Sequence, residues 1–151
     1  MLIAIGSDNL GLGLKREVIL ELSKQGYEFY DFGTYTESPV DYPDIAYSLA
    51  QSIAEGKYER GILICGTGIG MAISANKVKG VYAAVCHDIY STQRSILSNN
   101  VQVMCMGALV IGKATAVSLV DIWLKLKFKE SPSIIKINKI KDIENDSMEV
   151  K

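Results

Sequence analysis

The sequence predicts an α/β fold in which helices cover both faces of a doubly wound sheet of five parallel strands. Short apolar runs of strand length alternate with longer segments of helical period, and Gly, Asn, Asp or Ser stands at each junction. The third run, GILIC at 61–65, is apolar throughout, as a strand covered on both faces must be. We therefore expect a three-layer αβα sandwich.

Length and composition fit one globular domain. The chain has 151 residues, of which 48% are hydrophobic and 22% are charged. We expect residues 1–130 to form a single domain and residues 131–151 to form a C-terminal helical tail. No apolar stretch approaches the roughly 20 residues that span a bilayer, and the first residues lack the basic region of a secretory signal. We therefore expect a cytoplasmic protein that does not enter a membrane.

Charge and cysteine content indicate the kind of partner. The formal net charge of −1 provides no global field for nucleic acid, so a small molecule fits better. Cys65, Cys86 and Cys105 are odd in number and form no C-x-x-C pair, which argues against a disulfide framework and a zinc site. We expect reduced thiols, no metal and no cofactor.

The apolar runs, and the glycine and proline residues between them, predict where each helix and strand begins and ends. Gly26 is a natural stop for the first helix, and Pro43 can open the second. In the fifth helix, Val117, Val120, Leu124 and Phe128 form one apolar stripe, with Trp123 beside it. The predicted strands are 2–6, 27–32, 61–65, 81–86 and 101–106, and the predicted helices are 13–25, 43–55, 70–77, 89–98 and 112–128.

The segment after Pro132 is highly charged and allows two interpretations. Ile134, Ile137, Ile140 and Ile143 would lie on one loosely drifting face of a helix, which could dock on a partner subunit. The alternation of Ile135 and Ile137 with polar neighbours also allows a short strand.

Ligands of open α/β sheets bind beyond the carboxyl ends of the strands, so functional residues are expected in the loops that follow them. Three loops stand out, at residues 7–11, 65–70 and 86–88. They contain a carboxylate (Asp8), a thiol (Cys65), an imidazole (His87) and several glycine amides.

The loop CGTGIG, residues 65–70, is the most informative. A cysteine at the end of a buried strand, followed by a glycine-rich helix start, places its sulfur against amides that favour an anion. The same amides can hold an enediolate oxygen, and the Thr67 hydroxyl can relay a proton between substrate oxygens. This arrangement suits proton abstraction next to a carbonyl group.

Simpler interpretations of this loop remain open. Cys65 can be a small buried hydrophobe, and a glycine-rich turn can be only a tight turn. The glycine spacing is neither the G-x-G-x-x-G of a dinucleotide site nor a P-loop. For Cys86 and Cys105 we expect structural roles only.

Several longer motifs together indicate a family. They are IAIGSDNLG at the start, KREV in the first helix, YEFYDFGTY around the second strand, DYPDIA at 41–46, GILICGTGIGMAISANK at 61–77 and NNVQVMCMGALVIG at 99–112. On these motifs the chain resembles the type B ribose-5-phosphate isomerases and their relatives, the galactose-6-phosphate isomerases, from residue 1 to about residue 128.

The resemblance implies a Rossmann-like sandwich, an enediolate mechanism without a metal, and a homodimer or tetramer whose active sites are shared between subunits. It implies that Cys65 is the base and that Thr67 assists ring opening or proton relay. The amides of Gly66, Gly68, Ile69 and Gly70 would cradle the enediolate. Asp8, Tyr42 and Asn99 would contact the sugar.

This sequence departs from the family pattern at residues that would recognise the substrate. Asn9 and Ser98 stand where the family usually has histidines, and Leu109 replaces an arginine that typically grips the sugar phosphate. An arginine- and histidine-containing segment expected after Phe128 is also absent. Lys77, Arg94 or the C-terminal lysines would then form a substitute clamp, unless they are solvated surface charges.

His87 is the single histidine of the chain. We hypothesise that it supplies acid–base function lost from positions 9 and 98, where Asn9 and Ser98 remain as substrate contacts. The alternative is a hydrogen-bonded loop histidine without a catalytic role.

Three functions follow from these observations. The first is an aldose–ketose isomerase that acts on a small sugar or sugar phosphate through a cis-enediolate. The second is a catalytically silent homologue that serves as a partner subunit or binds a sugar. The third, a nucleotide-binding flavodoxin-like module, is weakened by the absence of a ribose-binding acidic residue and of a P-loop.

Overall fold

The computed structural model describes residues 1–129 and 131–149, and the side chains through residue 146. Strands and helices alternate along the whole domain. In order they are β1 (Leu2–Ser7), α1 (Leu12–Ser23), β2 (Glu28–Asp31), α2 (Tyr42–Ala54), β3 (Gly61–Cys65), α3 (Ile69–Ala75), β4 (Ala83–Val85), α4 (Ile89–Leu97), β5 (Val103–Gly107), α5 (Lys113–Lys125) and α6 (Ile134–Glu149). None of the described helices combines the length and the apolar character that crossing a bilayer requires.

The five strands form one parallel sheet in the order β2-β1-β3-β5-β4. This confirms the predicted doubly wound α/β sandwich. From β1 the chain builds outward to β2, whereas β3 and the later strands build in the opposite direction. The strand order therefore reverses between β1 and β3, and the loops after these two strands meet at the position where open sheets bind their ligands.

Helices bury both faces of the sheet. On one face α1, α4 and α5 cover Ile3, Ile5, Ile62 and Ile64, with Trp123 fully buried among them. The indole nitrogen of Trp123 donates a hydrogen bond to Ser95 Oγ at 3.2 Å, which satisfies its one polar atom. On the other face, α2 and α3 cover the remaining strand residues, among them Ala4, Leu63 and Val103.

Three strands are shorter than predicted because their first amides bind outside the sheet. The Tyr27 amide donates to Leu22 O at the end of α1, and the Val101 amide donates to Ser95 O in α4. The Tyr82 amide donates to the side-chain oxygen of Gln102 at 2.8 Å. The ladder consequently begins at Glu28, Ala83 and Val103.

The end of the fifth helix differs from the prediction. α5 stops at Lys125, and Leu126 is extended with a ψ of 148°. Phe128 therefore lies beyond the helix and packs on the core from a loop, so its place on the predicted apolar stripe is wrong. The guanidinium of Arg60 donates to Leu126 O at 2.9 Å and so satisfies a carbonyl just past the end of the helix.

The C-terminal segment is helical over Ile134–Glu149, so the alternative of a short strand is wrong there. Ile137 is buried, whereas Ile135 and Ile143 are exposed. The helix contacts its own chain where the Gly80 amide donates to Glu144 Oε1 at 2.9 Å. Docking of this helix on a partner subunit stays a prediction.

Candidate active site

A cleft of about 480 Å³ opens at the carboxyl ends of β1 and β3. It lies where the strand order reverses. Its lining residues include most of those predicted for the site, and they are Asp8, Leu10, Tyr42, Cys65, Gly66, Thr67, Ile69, Gly70, Ile73 and Leu109.

Cys65 is the last residue of β3, and its side chain is 5% exposed. It lines the cleft instead of being sealed in the interior. The Gly68 amide donates a hydrogen bond to Cys65 Sγ at 3.1 Å. The sulfur is therefore held by a main-chain donor where it borders the cleft.

Backbone packing fixes the turn that carries this amide. Gly68 has a φ of 79°, and a Cβ on it would lie 2.9 Å from backbone atoms of Met106. A Cβ at Gly107 would lie 2.6 Å from the Cα of Thr67. The Ala108 amide also donates to Cys65 O at 2.8 Å. Only glycine at positions 68 and 107 lets the two backbones approach this closely.

Asp8 follows β1 and lies beside this turn, with 7% of its surface exposed. Its Oδ1 accepts the Gly11 amide at 2.9 Å, which fixes the carboxylate. A Cβ at Gly11 would lie 2.3 Å from Ile64 O, so glycine is needed to bring this loop against β3. The carboxylate and the thiol therefore face one cleft from neighbouring strands.

Tyr42 reaches the cleft from the first turn of α2. A Cβ at Gly70 would lie 2.5 Å from ring atoms of Tyr42 and 2.7 Å from its hydroxyl oxygen. The glycine at 70 therefore makes room for the tyrosine. Thr67 is exposed, and its Oγ1 accepts the Ile69 amide at 3.3 Å, which leaves its hydroxyl proton free to point into the cleft.

Five predicted site residues are not among those that line the cleft, and one of them is Gly68, whose amide nevertheless donates to Cys65 Sγ. Asn9 Oδ1 accepts the Val40 amide at 3.4 Å. The Ser98 hydroxyl is paired with the Arg94 guanidinium, and Asn99 is exposed. Because α4 starts at the carboxyl edge of the sheet and runs back along it, Ser98 and Asn99 lie at the opposite edge from Cys65. One protomer does not bring them to the thiol.

His87, the last of the five, follows β4, and its Nε2 accepts the Gly107 amide at 2.9 Å. An accepting Nε2 requires a neutral ring with its proton on Nδ1. Burial lowers the pKa of His87 below its ordinary value of 6.5, although the neighbouring Asp88 acts in the opposite direction. His87 thus holds the strand end next to Cys65 instead of facing the cleft.

Three aliphatic side chains form an exposed rim on the cleft. They are Leu10, Ile73 and Leu109, the last 75% exposed. Leu10 and Ile73 were not predicted as site residues. The spacing of Ile69 and Ile73, four apart in α3, was a usable signal, because both lie on one face of that helix. No lysine or arginine belongs to the described lining of the cleft.

Cationic side chains gather instead at the amino edge of the sheet. A groove of about 380 Å³ there is lined by Leu97, Lys125, Leu126, Lys127 and Lys129. Lys125 is paired with Asp121 at 2.6 Å. The groove adjoins Ser98, which follows Leu97 in the chain. Among the residues that the structure describes, no cluster of His, Cys, Asp or Glu could hold a metal ion.

Comparison with known proteins gives consistent matches over nearly the whole chain. The Ribose/Galactose Isomerase family matches residues 3–140. The Listeria innocua protein named Ribose-5-P isomerase B is 48% identical over 144 residues, which are 95% of this chain and 97% of that protein. The Pectobacterium atrosepticum D-erythrulose-4-phosphate isomerase is 47% identical over 140 residues, 91% of each chain.

A solved structure agrees with these matches. Ribose-5-Phosphate Isomerase B from Clostridium thermocellum superposes with a TM-score of 0.94 and is 43% identical. The superposition covers 97% of this chain and 99% of that one.

Substitution of Gly68 by alanine tests the packing of the turn. Gly68→Ala should lower the free energy of unfolding by about 2–4 kcal/mol, because left-handed strain and contact with the Met106 backbone act together. Gly80→Ala is the matched control, since Gly80 also has a positive φ (81°) but no atom within 4 Å of an added Cβ. It should cost only about 1 kcal/mol. Equal losses in equilibrium urea unfolding would contradict the packing argument.

The neutral His87 predicts a dependence of stability on pH. Because its pKa is lowered in the folded state, the unfolded chain takes up this proton first as the pH falls below 6.5. The free energy of unfolding should therefore decrease on acidification, and His87→Gln should make that decrease shallower. Urea unfolding between about pH 5 and about pH 8 measures both slopes. Parallel slopes in the two proteins would show that His87 is not the group responsible.

Proposed function

The chain belongs to the ribose/galactose isomerase family, whose members interconvert aldoses and ketoses, and we propose that the Cys65 thiolate is the base that moves the proton. The observation that carries this proposal is the Gly68 amide donating to Cys65 Sγ at 3.1 Å inside the cleft. The amide stabilises the thiolate before substrate binds, and the cleft gives the sulfur access to a sugar carbon.

The proposed reaction needs no external reagent. The thiolate removes the proton from C2 of the open-chain aldose, and the C2–H electron pair forms the C1–C2 double bond of a cis-enediolate. Loop amides at Gly66 and Gly70 stabilise the oxyanion at O1, whereas the Gly68 and Ile69 amides stay with Cys65 Sγ and Thr67 Oγ1. The Thr67 hydroxyl moves a proton from O2 to O1. The Cys65 thiol then returns its proton to C1, which yields the ketose and regenerates the thiolate.

We propose a sugar phosphate as the substrate. Relatives bear the names ribose-5-P isomerase B and D-erythrulose-4-phosphate isomerase, so a phosphorylated four- or five-carbon sugar is the natural choice. A phosphate requires charge-assisted hydrogen bonds, and the described lining of the cleft offers the Asp8 carboxylate but no cation. The positive charge must come from elsewhere.

We propose that a second copy of the chain supplies it in a cytoplasmic homodimer, either alone or paired into a tetramer. The exposed rim of Leu10, Ile73 and Leu109 is apolar surface that such a partner would cover. At the opposite edge, Ser98 and Asn99 adjoin the groove that carries Lys127 and Lys129. If the amino edge of the partner's sheet docks on this rim, its Ser98 and Asn99 would contact the substrate. Its two lysines would bind the phosphate in place of the arginines that the family usually has.

Removal of the thiol tests the base. Cys65→Ala should lower turnover, and the incorporation of solvent deuterium into the product sugar, by about two to four orders of magnitude. Cys86→Ala is the control, because it removes a buried thiol that does not line the cleft. Full deuterium exchange in Cys65→Ala would exclude this residue as the base. Absence of exchange in the wild type would favour the catalytically silent homologue.

The catalytic role hypothesised for His87 stays a prediction. Its Nε2 is occupied by the Gly107 amide, so a direct part in proton transfer would require that hydrogen bond to open. Turnover of the His87→Gln variant, measured in the same assay, tests this role: near-normal activity would rule it out.

Mixing two defective variants tests the shared site. The first is Cys65→Ala, and the second carries Lys127→Met and Lys129→Met. If each site takes its thiol from one protomer and its lysines from the other, half of the dimers in an equal mixture are mixed, and each contains one intact site. Refolding the variants together should restore about a quarter of wild-type activity. Each variant refolded alone is the control, and a mixture no more active than these controls would place thiol and lysines in separate sites.

A further inference from the structure

Lys15 is a buried cation outside the cleft. It lies in the first turn of α1, and its side chain is 1% exposed. Its Nζ donates to Asp31 Oδ1 at 2.6 Å and to Thr34 O at 2.7 Å. The ammonium also lies 5.3 Å from the centroid of the Tyr35 ring. Its partners thus belong to the end of β2 and to the turn that follows it.

That turn is tied to the strand that carries Asp8. The Ser7 amide donates to Gly33 O and the Thr34 amide donates to Ser7 O, both at 2.6 Å. Asp31 Oδ1 also accepts the Gly33 amide at 2.8 Å. Lys15 therefore fixes Gly33, through Asp31, and Thr34 directly. These two residues pair with Ser7, which immediately precedes Asp8 in the chain.

The same turn leads to Tyr42. Arg16, next to Lys15 in α1, donates to Tyr35 O at 3.0 Å. Five residues further on, the Val40 amide donates to Asn9 Oδ1 at 3.4 Å, which joins this segment to the Asp8 loop a second time. α2 then begins at Tyr42. The segment between β2 and α2 thus links two of the cleft side chains.

Stability alone does not explain a lysine here. Burial lowers the pKa of Lys15, and the hydrogen bond to Asp31 opposes that effect, as expected for a charge removed from water at a cost. Replacing a buried ion pair by apolar residues of similar volume is often neutral or stabilising. What an apolar residue cannot do is hold a carbonyl and a carboxylate at fixed places. The ammonium, with its several donors, does both.

We infer that Lys15 is a positioning residue of the isomerase site, which sets Asp8 and Tyr42 through its bonds to Asp31 and Thr34. The inference rests on the proposed function, in which these two side chains hold the sugar. Loss of Lys15 should therefore weaken substrate binding more than it slows the proton transfer at Cys65.

Kinetics of Lys15→Met test this inference. The KM for the sugar phosphate should rise on the order of tenfold while kcat changes by less than about threefold. Lys24→Met is the matched control, because Lys24 lies just past the end of α1 and its exposed ammonium contacts only Glu21 among the described residues. It should leave both constants unchanged. An unchanged KM in Lys15→Met would overturn the inference and leave the proposed function intact, whereas a wild type without turnover would overturn both.

A double-mutant cycle separates positioning from a general loss of structure. If Lys15 acts through Asp8, then Lys15→Met in an Asp8→Asn background should raise KM by less than about threefold. A tenfold rise in both backgrounds would show that Lys15 does not act through Asp8.

A second pair of changes keeps the test valid should Lys15→Met fold poorly. Lys15→Met combined with Asp31→Leu removes both charges, and the double variant should recover the urea midpoint of the wild type. Its KM should stay raised, because the bonds to Thr34 and Gly33 are still missing. A KM that recovers together with the midpoint would show that the pair only stabilises the fold.

Discussion

The contact between the backbone of residues 65–68 and the backbone of residues 106–108 is the constraint on which the rest of the site depends. No side chain intervenes there, since a Cβ at Gly68 or Gly107 would overlap the facing chain. This close approach points the Gly68 amide at Cys65 Sγ and lets Cys65 O accept the Ala108 amide. The position of the sulfur and its hydrogen bond are therefore set by main-chain atoms of two neighbouring strands.

The sequence predicted the turn on one side of this contact, but not the residues that face it. A fully apolar strand followed by alternate glycines identified Cys65, Gly66, Gly68 and Gly70 as one turn at the carboxyl edge of a parallel sheet. The ends of the strands were harder to predict. Tyr27, Tyr82 and Val101 have strand-like side chains, yet their amides bind Leu22, Gln102 and Ser95. Such partners are chosen by tertiary packing, which no local pattern records.

The burial of two cationic side chains could not be predicted from the sequence, for the same reason. Lys15 and Arg60 are charged residues that a periodicity argument assigns to solvent. In the structure, each is buried because its donors satisfy backbone carbonyls at places where the chain leaves regular structure: Thr34 after β2 for Lys15, and Leu126 after α5 for Arg60. Both hold loops in place. Only the fold shows which carbonyls would otherwise lack a partner.

The charges of the two edges of the sheet support the proposal that a sugar phosphate binds between two subunits. At the carboxyl edge, Asp8 and the proposed thiolate are both anionic and lie under an aliphatic rim, which suits the uncharged, reacting end of a sugar but repels a phosphate. At the amino edge, Lys127 and Lys129 adjoin Ser98 and would attract one. The sheet separates these edges by its own strand length, so no rotamer change can unite them within one chain. If both sets of groups bind one substrate, as we propose, then the opposite edges of two subunits must face each other at the site.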